Sequence, residues 1–367
     1  MTTTEPRVEE QPTREVGTAR RRKEDARLIT GRTRWTDNIQ LTGMLHIAMV
    51  RSPIAHARIA DIDTSAAKAA ENVVAVLTGA DLAEVQGSLP NSWSVTPDQK
   101  TPPHMPVAVD RVRFAGEVVA VVVARSAAEA RDAADLVDVD YDELPVVLDL
   151  KEAVKDEVLV HPDLGTNVSA VWRFDSAEEG TGSSVEDAIR EARGDGIVIE
   201  REYRQQRMIP AFMEPRSFMA DPTGDQLVIW TSTQVPHFLR IFASLALGIP
   251  ESKLRVVAPD VGGGFGGKLQ VTPEEYITLI AARHTGKPCK YTETRSESLM
   301  SGHHGRDQWQ RLTLSATKDG RVTGFKVDQL VDMGAYLGLV GSAIPILGAF
   351  MYNGIYKFPA YQLTFTN

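Results

Sequence analysis

Five glycines occupy the six positions Gly262–Gly267, within Val261-Gly262-Gly263-Gly264-Phe265-Gly266-Gly267-Lys268. This stretch limits the fold more than any other. Chain without Cβ atoms can take positive φ, and its N–H groups can approach an anion or a cofactor oxygen closely. The same glycines weaken any strand or helix, so the stretch reads as a bend between ordered elements. A strand-like run, residues 253–261, precedes it. After it, Thr272 and Glu275 form a T-x-x-E capping box with Pro273 at the first helical position, which predicts a helix up to Gly286.

Such a bend has several readings. It can be a plain flexible turn. Gly262, Gly264 and Gly267 satisfy the dinucleotide-binding pattern G-x-G-x-x-G, but there the helix opens within the motif, and here it opens later. Gly262, Gly267 and Lys268 satisfy a phosphate-binding G-x-x-x-x-G-K, but the next residue must be Ser or Thr to hold Mg²⁺ and is Leu269. A fourth reading is a loop that wraps some other cofactor, and it rests on motifs elsewhere in the chain.

Composition narrows the choice. The net charge of -9 opposes nonspecific nucleic-acid binding and attraction to anionic membranes. The single cysteine, Cys289, allows no internal disulfide, no four-thiolate iron–sulfur cluster and no cysteine-built zinc site. Cys289 stands where a strand begins and reads as structural rather than nucleophilic. No run approaches the ~20 apolar residues of a membrane span, and the expected location is the cytoplasm.

Along the chain, residues 1–22 are polar and read as a flexible tail. Residues 23–150 read as one α+β domain. Its strands are expected at 41–50, 57–63, 73–79 (the last buried) and, with a turn, 137–147, and the continuous apolar run 116–124 suits a strand buried on both faces. Thr64 is expected to cap a short Ala-rich helix, and Ser126 with Glu129 to form a capping box for a helix through Leu136. Residues 90–106 read as loop and 151–182 as a linker. A second domain, 183–367, opens with a short helix, has strands near 197–204, 225–234 and 253–261 and a helix over 237–249, and carries a hairpin turning at Asp319-Gly320. The chain stops inside a strand pattern, which reads as a fragment or as a fold completed by something else.

The fourth reading of the glycine bend gains support from motifs elsewhere. The bend closely resembles the loop around the metal in molybdenum hydroxylases, the family of xanthine dehydrogenase, aldehyde oxidase and aerobic carbon monoxide dehydrogenase. The segment from Arg21 to Ile39 resembles that family's entry segment. Arg51-Ser52-Pro53, with His56 and Ala57, is similar to its R-S-P-x-A-H-A signature. Phe114-Ala115-Gly116-Glu117, Met213-Glu214-Pro215-Arg216 and Thr231-Ser232-Thr233-Gln234 then follow in family order.

The resemblance runs from about residue 20 to the end. It implies an α+β fold: a hammerhead-like α/β domain followed by the first part of a molybdopterin-binding domain. It implies a molybdenum–molybdopterin cofactor, in the cytosine dinucleotide form, held by its dithiolene with no protein ligand to the metal. Gln234 matches the glutamine whose neutral amide hydrogen-bonds an oxygen ligand of the metal. Gly263, Gly264, Phe265, Gly266 and Gly267 match the loop, Phe265 offering its N–H while its ring packs on the site. A Cβ at Gly264 is expected to meet the cofactor or force a disallowed φ. The implied reaction is oxidative hydroxylation of a small molecule with a water-derived oxygen. The implied partners are an iron–sulfur small subunit with [2Fe-2S] clusters and an FAD-binding medium subunit.

Where purine hydroxylases carry a substrate glutamate, this chain has Leu269; where they carry a substrate arginine, it has His304, with His303 beside it. These are the candidate substrate-pocket residues. The segment Arg295-Ser296-Glu297-Ser298-Leu299-Met300-Ser301, followed by Arg306-Asp307, resembles the carbon monoxide dehydrogenase branch, with aldehyde or N-heterocycle oxidation as the alternative. A non-catalytic remnant and a nucleotide-binding enzyme are the other function classes. The family's general base lies in its second half, so no catalytic base is named. Glu214 and Glu293, the only acids to test in its place, read as structural.

Overall fold

The computed structural model describes residues 16–367; the expected tail lies, up to residue 15, outside the described residues. Of the described residues, those up to Arg34 form a unit of their own, in which Asp25–Ile29 is a short helix. Within Trp35–Asn367, strands build sheets of seven, five and three strands, and helices pack beside them, an α+β arrangement.

The seven-stranded sheet runs in the order Leu254–Val257, Leu227–Thr231, Ser217–Asp221, Cys289–Thr292, Leu45–Arg51, Val118–Ala124 and Val73–Thr78. Segments 23–150 and 183–367 therefore share one sheet, joined where Leu45 pairs in parallel with Cys289. Val118–Ala124 is buried along its whole length, as its run of β-branched residues requires. Val73–Thr78, expected to be buried, is an edge strand and only partly covered. Helices Pro236–Leu247 and Pro273–Thr285 bring Leu239, Ala243, Tyr276 and Leu279 into one core with Val121, Phe218, Ile229 and Tyr291. Each of the Leu, Val, Ile and Phe side chains among these contributes about 1.5–3 kcal/mol by leaving water.

The five-stranded sheet orders Val171–Asp175, Tyr361–Thr366, Val322–Val331, Gln308–Thr317 and Gly196–Gln205. Its central hairpin turns where expected, with Gly320 at φ +87°. Helix Val185–Asp195 covers it, and its Ser184 hydroxyl caps the Asp187 N–H at 3.2 Å. The linker expected at 151–182 contains the edge strand Val171–Asp175, which pairs with Tyr361–Thr366. A five-residue strand whose partner lies some 190 residues away leaves almost no local signal.

Two caps differ from expectation. Thr64 makes no side-chain cap; the Asp63 carboxylate accepts from Ser65 N instead, at 2.8 Å. Ser126 caps Glu129 N, but the Glu129 carboxylate turns to the Asn72 side-chain amide at 2.6 Å, and the helix ends at Ala134. Among the described residues, no helix is long and apolar enough to cross a membrane.

Candidate functional site

Strand directions bring the motifs together. Leu227–Thr231 and Leu254–Val257 are parallel neighbours, so the chain leaves both at the same end of the sheet. One exit delivers Gln234 and the other the glycine bend. Ser217–Asp221 runs antiparallel to Leu227–Thr231 and pairs Ser217 with Thr292, so Glu214 and Arg216 enter, and Glu293 leaves, at that end as well. Leu45–Arg51 runs parallel to Cys289–Thr292 and ends there in Arg51.

Gln234 lies directly on the bend. A Cβ built on Gly264 would stand 2.3 Å from Gln234 Oε1 and 2.9 Å from its Cγ. Gly266 N donates to Gln234 Oε1 at 3.1 Å, and Gln234 N donates to the Lys268 carbonyl at 2.9 Å. Because Gly266 offers a donor, the side-chain oxygen must face it, which leaves the NH₂ of Gln234 pointing elsewhere. Gly263 and Gly266 adopt φ of +93° and +88°, and Phe265 is also left-handed at +50°. Gly264 is not in that region; its need for glycine comes from Gln234, not from φ.

The bend closes on itself through Gly267 N to Gly264 O, 2.8 Å, and Leu269 N to Gly266 O, 3.2 Å. Among the described residues, the N–H groups of Gly263, Gly264 and Phe265 and the NH₂ of Gln234 have no protein acceptor. The Phe265 ring does not join a core: it lies over Gly263 and is 79% exposed. The bend sits on an open surface of the chain. A separate cavity of about 500 Å³, lined by His56, Arg113, Phe114, His161 and Tyr336, includes neither the bend nor Gln234, Leu269 or His304.

Lys268 is buried and pairs with Glu214 at 2.8 Å above the Phe212 ring. Burial lowers its pKa, a shift that the Glu214 carboxylate opposes. Its ammonium is thus engaged inside the protein and is not presented to a phosphate. Helix Pro273–Thr285 starts five residues beyond Lys268 and not within the glycines, and Thr272 N at its start donates to Glu275 Oε2 at 3.0 Å. Both nucleotide-binding readings lose their geometry here.

Beneath the bend is a buried ion network that sequence reasoning did not foresee. Arg216 donates through Nε to Glu293 at 3.0 Å and through its terminal nitrogens to Glu274 at 3.2 and 3.3 Å. Arg51 donates to Glu274 at 2.8 Å, Glu297 at 3.2 Å, Tyr291 at 3.0 Å and the Gly116 carbonyl at 3.0 Å. Burial raises the Glu274 pKa, but Arg216 and Arg51 outweigh it and hold the group down to about 2. Glu293 is therefore an ion partner, and Arg51, Arg216 and Glu297 of the quoted motifs bind the sheet end together. The available signal was the charged residue in each motif; its partner was not visible without the fold.

Leu269 is half-buried and leaves the bend. His304 is half-buried too, with its Nε2 3.2 Å from the Leu299 carbonyl. No hydrogen bond or ion pair joins His304 to Leu269. His303 instead meets Gly338 together with Gln270, whose Oε1 accepts from Leu339 N at 2.6 Å. Cys289 is fully buried and its thiol is pushed up to about 11 by burial, so it is no nucleophile.

The site residues fit an oxygen-rich group: consecutive unclaimed N–H donors, a neutral side-chain amide, and glycine where the chain must come close. Residues 30–145 match the aldehyde oxidase and xanthine dehydrogenase a/b hammerhead domain, and residues 160–367 the molybdopterin cofactor-binding domain. The chain is 38% identical over 318 residues to the nicotine 6-hydroxylase large subunit of Paenarthrobacter nicotinovorans, covering 86% of this chain and 38% of that one. It is 34% identical over 335 residues to the carbon monoxide dehydrogenase large chain of Afipia carboxidovorans, covering 88% and 40%. The crystal structure of quinoline 2-oxidoreductase from Pseudomonas putida 86 superposes with a TM-score of 0.88 at 34% identity, covering 95% of this chain and 44% of that one. The chain thus spans about two fifths of the length of these relatives. It belongs to the molybdopterin-binding large subunits of the molybdenum hydroxylases.

Proposed function

We propose that this chain is the molybdopterin-binding part of a molybdenum-dependent oxidoreductase subunit that hydroxylates a small molecule with oxygen from water. The observation that carries this reading is the convergence of the free N–H groups of Gly263–Phe265 with the Gln234 amide at one end of the sheet. When bound, the cofactor supplies two-electron redox chemistry. The chain's own residues orient it: the bend donates backbone N–H groups, and Gln234 donates from an amide that does not titrate, so its role is constant with pH. Gly264 and Gly267 let the bend pack closely on Gln234 and on Pro210 and Phe212.

The cytosine dinucleotide form of the cofactor, an iron–sulfur small subunit carrying [2Fe-2S] clusters and an FAD-binding medium subunit to receive electrons, and a cytoplasmic location complete the proposal. The carbon monoxide dehydrogenase-like branch is favoured by the Arg295–Ser301 segment and the 34% identity to that large chain. N-heterocycle hydroxylation is the second reading, favoured by the likeness to nicotine 6-hydroxylase and quinoline 2-oxidoreductase. Leu269 and His304 are the proposed pocket residues; with Nε2 held by Leu299 O, His304 has Nδ1 to offer.

The test is molybdenum and pterin content of the purified, assembled complex, followed by turnover with carbon monoxide and with N-heterocycles. Gln234→Ala is expected to slow turnover at unchanged metal content and fold. A correctly folded complex without metal, or an unchanged rate in Gln234→Ala, refutes the respective assignment.

A further inference from the structure

We infer that Glu214 and Lys268 are the positioning pair that holds the glycine bend in its cofactor-accepting shape. This rests on the reading above, that the bend receives the cofactor. Neither residue needs to touch the cofactor for this; both act through the backbone.

The Glu214 carboxylate joins the two ends of the bend. Its Oε2 accepts from Gly262 N at 2.7 Å, where the chain enters, and from Lys268 Nζ at 2.8 Å, where it leaves. Glu214 N also donates to the Gly262 carbonyl at 3.2 Å. Lys268 carries the linkage onward, because its carbonyl accepts from Gln234 N at 2.9 Å and from the Thr233 hydroxyl at 3.3 Å. One ion pair therefore sets both the curvature of the bend and the place of Gln234 against it.

A segment with five glycines in six positions has little stiffness of its own. Its internal closure is limited to the Gly267 and Leu269 N–H bonds. Phe212 and Pro210 wall the Gly267 side, where a Cβ would meet them at 2.8 and 2.7 Å, and the Lys268 ammonium lies 4.8 Å from the Phe212 ring centroid. In this setting a carboxylate or ammonium left without its partner is costly. The bend must then open to hydrate the orphan charge, and the N–H groups of Gly263–Phe265 lose their place beside Gln234.

Hydrogen exchange resolved to single amides, with metal and pterin analysis of the assembled complex, tests this in Glu214→Ala, Glu214→Gln, Lys268→Met, Lys268→Arg and the Glu214→Ala/Lys268→Met double variant. The informative amide is Gly266, whose acceptor is Gln234 and whose bond neither substitution removes directly. Its exchange is expected to rise at least tenfold in Glu214→Ala and in Lys268→Met, and no further in the double variant, since a single clamp is broken once. Lys268→Arg should restore slow exchange, and Glu214→Gln, which keeps an acceptor for Gly262 but loses the charge, should fall between. Metal content should drop in the same order.

Unchanged Gly266 exchange in Glu214→Ala overturns the proposal. So does an increase spread equally over Ser217–Asp221 and Leu227–Thr231, which marks general loosening. If Glu214→Ala does not fold, Glu214→Gln and Lys268→Arg carry the test alone. A wild-type complex without metal sinks the reading of the bend as a cofactor site, while the exchange data still decide the clamp.

Discussion

Gly264→Ala is the sharpest perturbation of the site, because it adds one methyl group where the structure has no room. The new Cβ would stand 2.3 Å from Gln234 Oε1, 2.6 Å from Cδ and 2.9 Å from Cγ. Ordinary carbon contacts are about 3.5–4.0 Å, so the Gln234 side chain must retreat by roughly 1 Å. Retreat breaks its bond to Gly266 N, worth about 1 kcal/mol net. Displacement from a favoured rotamer adds about 0.5–1.5 kcal/mol. The sum, about 1.5–2.5 kcal/mol, corresponds to a roughly tenfold or greater loss of protection at the Gly266 amide. In a Gln234→Ala background the clashing atoms are gone, and the same substitution should cost almost nothing. The assay is a double-mutant cycle read by hydrogen exchange at Gly266 and by the stability of the complex. Effects that add within about 0.5 kcal/mol would show that Gln234 does not hold the bend. A strain of φ is not involved, since Gly264 lies outside the left-handed region that Gly263 and Gly266 occupy.

The buried network and its pH response are testable in the same complex. Arg216→Met leaves Glu293 without its guanidinium and Glu274 with Arg51 alone, and is expected to cost about 3–5 kcal/mol in denaturant unfolding; a loss under 1 kcal/mol would mean the network contributes little. Glu274, held down to about 2, contributes stability that is present above the ordinary carboxylate range and lost as pH falls through that range toward 2, so Glu274→Gln should flatten the acid limb of the stability profile. Glu117 has the opposite sign. Burial pushes it up to about 7 despite bonds from Arg113 N and the Tyr336 hydroxyl, so its contribution is full below the ordinary carboxylate range and is lost as pH rises through 7. Glu117→Gln should remove that loss, and an unchanged slope between pH 5 and 8 would refute the assignment.

The motifs, their order and the family were legible in the chain itself. Glycine count, the T-x-x-E box and the Asp319-Gly320 turn act over a few residues, so local chemistry specifies them wherever they stand. The same is true of the fully apolar Val118–Ala124 strand and of helix Pro236–Leu247. Partnership over long distances was not legible. Val171–Asp175 is a strand because Tyr361–Thr366 lies beside it, and segments 23–150 and 183–367 share a sheet because Leu45 meets Cys289. Lys268 and Glu214 read as a loop end and a turn until the fold set them 2.8 Å apart, and Arg51, Arg216, Glu274 and Glu293 were separate charges until three strand ends and the start of helix Pro273–Thr285 converged. A buried charge is stable only with its partner, and which partner it meets is a property of strand order, which no window of neighbouring residues contains.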